Sequence, residues 1–364
     1  APLSERGEMS YSTGLRIVEM VEEDVTPSKI LTRQAFENSV ILNSAIGGST
    51  NAPIHINAIA RHVGVKLEIE DWQKVGLGIP LLVNMQPTGK YLGEDFHRAG
   101  GVPAVMHTLL TAGKLHDSAI TVNGKTVAEN YAETPTQDTD VIRTYNEPML
   151  ENAGFVVLKG NICDAAVMKT SVISDSFRSQ YLDKPGSKNV FEVRAIVFEG
   201  PEDYHARIND PQLSIDVDCI LVIRGCGPVG YPGSAEVVNM QPPDSLIRKG
   251  VTELPTLGDG RQSGTSGSPS ILNASPESAV GGGLALLKTG DMLRVDLNLG
   301  TMDVLLDETE LRKRRDQLKT AVIENQTPWQ EMYRNTVGQL SSGGIIELAA
   351  KYKKIRNTIP RHSH

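Results

Sequence analysis

Apolar positions follow a helical period through the first part of this chain and gather into short strand-like runs through the second. From Ile30 to Ala45 the period is 3.6, with Thr26-Pro27 as N-cap and first-turn pair before it and Gly47-Gly48 closing it. A second helix is predicted from Thr50 or Asn51 to about His62, and Pro103 opens another through Leu110. Ile79 to Val83 is a continuous apolar run, as in a buried parallel strand, and Asn123-Gly124 between two ITV- and KTV-like runs predicts a hairpin-type turn. Residues 1–150 therefore predict an α/β domain.

From about Thr134 to Asn152 the chain turns polar and carries Pro135 and Pro148, which predicts a linker with a short helix. Beyond it the runs Phe155 to Leu158, Ala195 to Phe198, Ile220 to Ile223 and Leu293 to Leu297 are separated by Gly, Pro and Asp turns. That pattern predicts a mainly β barrel or sandwich over 151–330. Ser275-Pro276-Glu277 should start a helix, a helical stretch is expected from Thr327 to about Lys354, and residues 331–364 are expected as a C-terminal helical tail. There is no internal repeat and no low-complexity tract.

Composition narrows the function classes. The 364 residues carry a net charge of −8, and no Lys/Arg run is interleaved with aromatics, which argues against a nucleic-acid partner. The RKRR cluster at 312–315 lies in an acidic helical context and predicts a solvated, ion-paired face. No run approaches a membrane span and the first residues lack a signal-peptide profile, so the expectation is a cytoplasmic protein with no membrane partner. Cys163, Cys219 and Cys226 show no CxxC spacing and are expected to pack as small apolar residues. His55 and His62 lie one helix face apart, but no third ligand is suggested, so a packed or surface role is expected of each.

Three segments could carry chemistry. Asp259 to Pro269 packs glycines, hydroxyls and Arg261 into a stretch with almost nothing to bury, which suits either a flexible surface turn or an anion-binding loop. Ser49, Thr50 and Asn51 lie between two helices, where the second helix's N-terminus could take an anion, or where Ser49 or Thr50 simply caps it. The glycine-rich loop from Gly225 follows a predicted strand and leads to Glu236 at the start of a helix-like segment. It lacks the GxGxxG order and the Walker lysine, so dinucleotide and nucleoside triphosphate binding are rejected. Glu236 suits either a first-turn acid or a hard oxygen ligand for Mg²⁺.

Taken together, GGSTNA at 47–52, GNICDAAVMKTS at 160–171, GCGPVGYPGSAE at 225–236 and DGRQSGTSGSPSILNASPESAVGGG at 259–283 resemble the dihydroxy-acid dehydratase and 6-phosphogluconate dehydratase family. The loops look more like its sugar-acid branch, which acts on pentonates such as arabinonate or xylonate, than like the branched-chain amino-acid enzyme. The resemblance implies a hydro-lyase that dehydrates a 2,3-dihydroxy acid to a 2-keto acid using Mg²⁺ and a [2Fe-2S] cluster. It implies Ser263 as the catalytic base, Glu236 as a metal ligand, and Thr265 with the backbone of Gly264 to Ser266 as a seat for the substrate carboxylate. Arg261 and the Ser49-Thr50-Asn51 turn join them as substrate-binding candidates.

The same resemblance implies a partial three-layer α/β domain followed by a swivelling barrel-like domain, in a homodimer or homotetramer. In the family the cluster cysteines and the other Mg²⁺ ligands belong to an N-terminal part that these residues do not match. The three cysteines here do not match the cluster positions, so this chain alone is expected to bind no cluster and to be inactive or nearly so. The start at Ala1, inside helical sequence, fits a processed or truncated product. The alternatives are the branched-chain dihydroxy-acid enzyme and a non-catalytic fragment that binds sugar acids.

Overall fold

The computed structural model describes residues 4–263, 269–319 and 324–352. From residue 4 to about residue 150 the regular elements are helices. α1 (Ser4–Glu22), α2 (Pro27–Ile30), α3 (Arg33–Ala45), α4 (Ala52–Val63), α5 (Ile69–Gly76), α6 (Gly93–Arg98), α7 (Gly101–Thr111) and α8 (Val127–Tyr131) follow in order. The helix predicted from Ile30 begins later, because Thr32 rather than Thr26 supplies the working cap. Its Oγ1 accepts from the Ala35 N–H at 3.3 Å, whereas Thr26 caps only the single turn of α2 and makes no side-chain cap bond. Ile41, Ala45, Leu82, Val83, Val105, Leu109 and Ile142 form the core of this region.

Ile79 to Val83 is buried, as its apolar run requires, but it is not a parallel strand. Leu81 bridges Leu150 and Val83 bridges Ile142, each antiparallel and isolated. Among the described residues 4–154 there is thus no sheet layer. The segment predicted as a linker supplies these partners, and Asn123-Gly124 does make the expected turn, with an antiparallel bridge between Ile120 and Thr126.

The second region closes into an eight-stranded barrel: β1 (Phe155–Gly160), β2 (Cys163–Lys169), β3 (Val190–Phe198), β4 (Cys219–Ile223), β5 (Thr256–Gly258), β6 (Ser270–Ser275), β7 (Met292–Asp296) and β8 (Thr301–Val304). Around the barrel the order is β1-β2-β6-β5-β4-β3-β7-β8. The pairs along β3, β4, β5 and β6 are parallel, β8 meets β1 in parallel, and the others are antiparallel. Closure removes free sheet edges. Val156, Leu158, Ala166, Met168, Ile220, Val222, Leu257, Ile271 and Leu293 fill the interior. Trp72 of α5 meets Phe155 of β1 edge-on at 5.8 Å and joins the two regions.

Short helices α9 (Asp175–Phe177), α10 (Pro201–Arg207), α11 (Asp244–Ile247), α12 (Glu308–Gln317) and α13 (Pro328–Arg334) decorate the barrel. Three predicted helices are corrected. No helix follows the glycine loop at Glu236; the chain there is extended, with Val237 bridging Gln262 in parallel. Ser275-Pro276-Glu277 starts only a 3-10 turn, Ser278–Val280, because β6 runs up to Ser275. The C-terminal helix stops at Arg334, after which the chain folds back through a Val337–Ile346 bridge. The RKRR face is ion-paired on α12, yet Arg314 also reaches half-buried Asp291 at 2.5 Å and the Leu286 carbonyl, so it anchors the helix. No helix among the described residues is long and apolar enough to cross a membrane.

Candidate active site at the barrel rim

The rim is organised by strand ends. β4 ends at Ile223 and releases the loop 225–236; β5 ends at Gly258 and releases Asp259, Gly260, Arg261 and Ser263. Asp259, 1% exposed, is a brace inside the fold. Its carboxylate accepts from the N–H groups of Gly225 (3.0 Å), Cys226 (2.9 Å) and Ser278 (2.9 Å) and from the Ser278 hydroxyl (2.6 Å). Such charge-assisted bonds are shorter and stronger than neutral ones, and they fix the start of the loop. Gly260 is required there, since a Cβ would stand 2.3 Å from the Cys226 carbonyl oxygen.

Glu277 braces the middle of the loop. Fully buried, it accepts from the N–H groups of Val229 (3.0 Å) and Gly230 (2.8 Å) and from the Gln339 amide (3.0 Å). Burial pushes its carboxyl up, with nearby Asp259 acting the same way, while these donors pull it down. Glu277 was expected only as a helix-opening acid. A buried carboxylate in a run as polar as SPES leaves no mark in a single sequence, because its partners are backbone groups 47 and 48 positions away.

The loop end and the serine segment lie side by side. The Val237 N–H donates to the Arg261 carbonyl at 3.0 Å, and the Ser263 N–H donates to the Val237 carbonyl at 2.8 Å. This pairing sets Glu236 and Ser263, both exposed, beside one bridge between Val237 and Gln262. Arg261 turns to the Ser234 carbonyl, which accepts from both Nε (2.7 Å) and the second terminal nitrogen, so its fork is engaged by the loop. Gly264, Thr265 and Ser266 lie outside the described residues.

The turn before α4 approaches from the other region. Asn51 Nδ2 donates to Glu236 Oε1 at 2.6 Å, Ser49 Oγ accepts from the Asn51 N–H at 3.1 Å, and Thr50 is buried. Lys169 of β2, only 3% exposed, holds this turn from below by donating to the Gly47 carbonyl at 2.7 Å. Burial brings its ammonium down to about 8. The structure therefore brings Asn51, Glu236 and Ser263 to one place. A hollow of about 450 Å³ on the far side of the loop is lined by Arg224, Ser278 and Lys319 and by none of these candidates.

The donor chemistry at this place suits a hard cation only in part. Glu236 offers a carboxylate of the kind that shares Mg²⁺ with water and substrate oxygens. Among the described residues no three His, Cys, Asp or Glu side chains are grouped to hold a metal. An iron-sulfur cluster needs several thiolates together, and the cysteines form no such group among the described residues. All three are buried, and burial pushes Cys163 up to about 12, Cys219 up to about 11 and Cys226 higher still.

Comparison with known proteins gives two family matches. Residues 1–130 match the dihydroxy-acid/6-phosphogluconate dehydratase N-terminal description, and residues 140–344 match the C-terminal one. A D-xylonate dehydratase of Caulobacter vibrioides is 59% identical over 364 residues, all of this chain and 61% of the relative. An L-arabinonate dehydratase of Rhizobium leguminosarum bv. trifolii is 44% identical over 311 residues, 85% of this chain and 52% of the relative. A dihydroxy-acid dehydratase of Ignicoccus hospitalis is 35% identical over 336 residues, 92% of this chain and 58% of the relative. The chain thus spans between about half and three-fifths of the length of the curated relatives it matches.

Proposed function

The chain belongs to the dihydroxy-acid/6-phosphogluconate dehydratase family, and from that premise we propose that it serves the dehydration of a sugar acid of pentonate type to a 2-keto-3-deoxy acid. Relatives named for D-xylonate and L-arabinonate, at 59% and 44% identity, support the substrate class over the branched-chain acids, whose namesake is 35% identical. The observation that carries the site is the Asn51–Glu236 hydrogen bond, because it joins the turn before α4 to the loop that runs beside Ser263.

In this reading Ser263, ionised to its alkoxide, takes the proton from C2 of the substrate and passes it to the departing C3 hydroxyl. The C3 hydroxyl leaves as water, and the resulting enol takes up a proton at C3 to become the 2-keto acid. Asn51 orients Glu236, and the engaged Arg261 holds the loop. A serine hydroxyl alone is far too weak a base for a C2 proton beside a carboxylate. Glu236 would hold Mg²⁺, which when bound supplies Lewis-acid polarisation of the substrate oxygens and lowers the proton affinity of a neighbouring hydroxyl. Family membership implies a metal- or iron-sulfur-dependent dehydratase, but the thiols of this chain do not suit a cluster.

In the intact protein, Ser263→Ala should abolish turnover of D-xylonate and L-arabinonate while metal content stays unchanged. Turnover retained in that variant would remove Ser263 as the base. Three buried cysteines that are not grouped with other ligating side chains among the described residues favour a second reading for the chain on its own, in which it binds sugar acids without turning them over. Calorimetric titration of xylonate, arabinonate and gluconate with Mg²⁺ separates the two, since heat without product supports binding alone.

A further inference from the structure

The segment 333–347 does not trail from the barrel; it lies across the loop that carries Glu236 and is tied at both ends. At its start, Arg334 Nε donates to the Val229 carbonyl at 2.9 Å, and Tyr333 sits against Gly233 and Ser234. In the middle, the Gln339 side chain is used twice: its amide donates to Glu277 Oε1 at 3.0 Å and its oxygen accepts from the Glu277 N–H at 2.7 Å. At its end, Glu347 forms a two-pronged ion pair with Arg61 of α4 at 2.7 and 2.9 Å, and Arg61 also donates to the Ser342 carbonyl at 3.1 Å. Gly343, at φ +95°, lies so close to α4 that a Cβ would stand 2.7 Å from the Ala58 nitrogen.

These contacts close a ring. Starting from Asn51 at the head of α4, the path runs to Glu236, along the loop to Val229 and Gly230, through Glu277 to Gln339, along the segment to Glu347, and through Arg61 back to α4. The ring matters because the two regions touch the candidate site from opposite sides. Asn51 is the partner of Glu236 from the helical side, while the loop's own geometry is set by buried Glu277. A connection that holds α4 and Glu277 at a fixed separation fixes where Asn51 meets Glu236. An exposed carboxylate on a glycine-rich loop has many positions open to it, and each constraint on the loop reduces the ordering cost of engaging a ligand.

We propose that residues 333–347 act as a strap that sets the position of Glu236 relative to the head of α4, with Gln339 as its positioning residue. The strap stands on the ring of contacts; its consequence for a metal rests on the reading of Glu236 as a Mg²⁺ ligand. In the intact protein, Gln339→Leu keeps the volume and removes both bonds to Glu277, and Arg61→Gln opens the ring at its other end. Each variant should speed amide hydrogen exchange across 225–236 by about tenfold, as expected when one or two net hydrogen bonds are lost. Each should also weaken Mg²⁺ binding, titrated as the ion alone by calorimetry, by about the same factor. The double variant should add little to either single one, because one opening already breaks the ring.

A merely structural segment would lower the melting temperature while leaving loop exchange and Mg²⁺ affinity at their original values, and that result would overturn the strap. Should Gln339→Leu fail to fold, Arg61→Gln carries the test with the same readouts. Glu236→Gln separates the two ideas. If that change leaves Mg²⁺ affinity intact, the metal reading falls, and the strap is judged by hydrogen exchange alone.

Discussion

The barrel and the helical region before it solve burial in opposite ways. Every position of β4 and β6 is buried and the barrel's ladder closes on itself, while one outer patch around Phe155, Val157 and Leu272 packs against Val40, Ile69 and Trp72 of the helical region. The helical region has a core around Ile41, Leu82 and Leu109, but only isolated bridges, and α1 buries none of its residues. Met9, Tyr11, Leu15, Ile17, Val18 and Val21 of α1 are all exposed. One region is thus built on a closed ladder, and the other lays side chains against its outside. The candidate site lies where they meet, which puts Glu236 and Ser263 on loops that leave β4 and β5, and Asn51 on the region with less support of its own.

The largest effect that tests this contrast lies in the barrel. Leu257 is fully buried on β5 between β4 and β6 and packs in the barrel interior, so Leu257→Ala removes a side chain from the middle of that core. A loss of about 2–5 kcal/mol is expected, read from the denaturant midpoint. A loss below about 1 kcal/mol would mean that the barrel interior is looser than its closed ladder implies.

The seam between the regions should show itself through pH. Lys169 is an ammonium buried beneath the Gly47 turn with one carbonyl partner, and its value is brought from 10.5 down to about 8. The unfolded chain therefore holds more protons than the folded one between about pH 8 and 10.5, and stability should rise with pH across that window. Below it the cost of the buried charge is fully present; above it the lysine is neutral in both states. The rise should reach at most about 3 kcal/mol and should vanish in Lys169→Met, measured as denaturant midpoints at successive pH values. An unchanged rise in the variant would assign it to other groups and loosen the link between β2 and the turn.

What the sequence made legible follows the same division. The strands with apolar alternation or runs, β1, β3, β4 and β7, were readable because their hydrophobic positions are continuous. β6 was not, because SILNAS is buried by neighbours on both sides and carries Ser270, Asn273 and Ser275 into the interior. Ile79 to Val83 misled for the opposite reason: its burial is real, but a helical layer and the segment 141–150 cover it, and an apolar run cannot tell a sheet from such a pocket. At the site, Glu236, Ser263 and Asn51 were legible from loop chemistry and resemblance. Asp259 as a brace, Glu277 and Gln339 were not, because their partners are backbone groups or residues distant in the chain.

The smallest expected effect is the one that could most change the contrast. Ile17 is 57% exposed on α1, so Ile17→Ala removes little buried area and replaces a β-branched residue by the best helix former. If α1 stands free, the change should fall within about 0.5 kcal/mol of zero, with helix propensity favouring the variant. A loss near 2 kcal/mol in the intact protein would require the Met9 to Val21 face to be covered in solution. The helical region would then complete its burial against another surface, and the two regions would differ in what they close against rather than in whether they close.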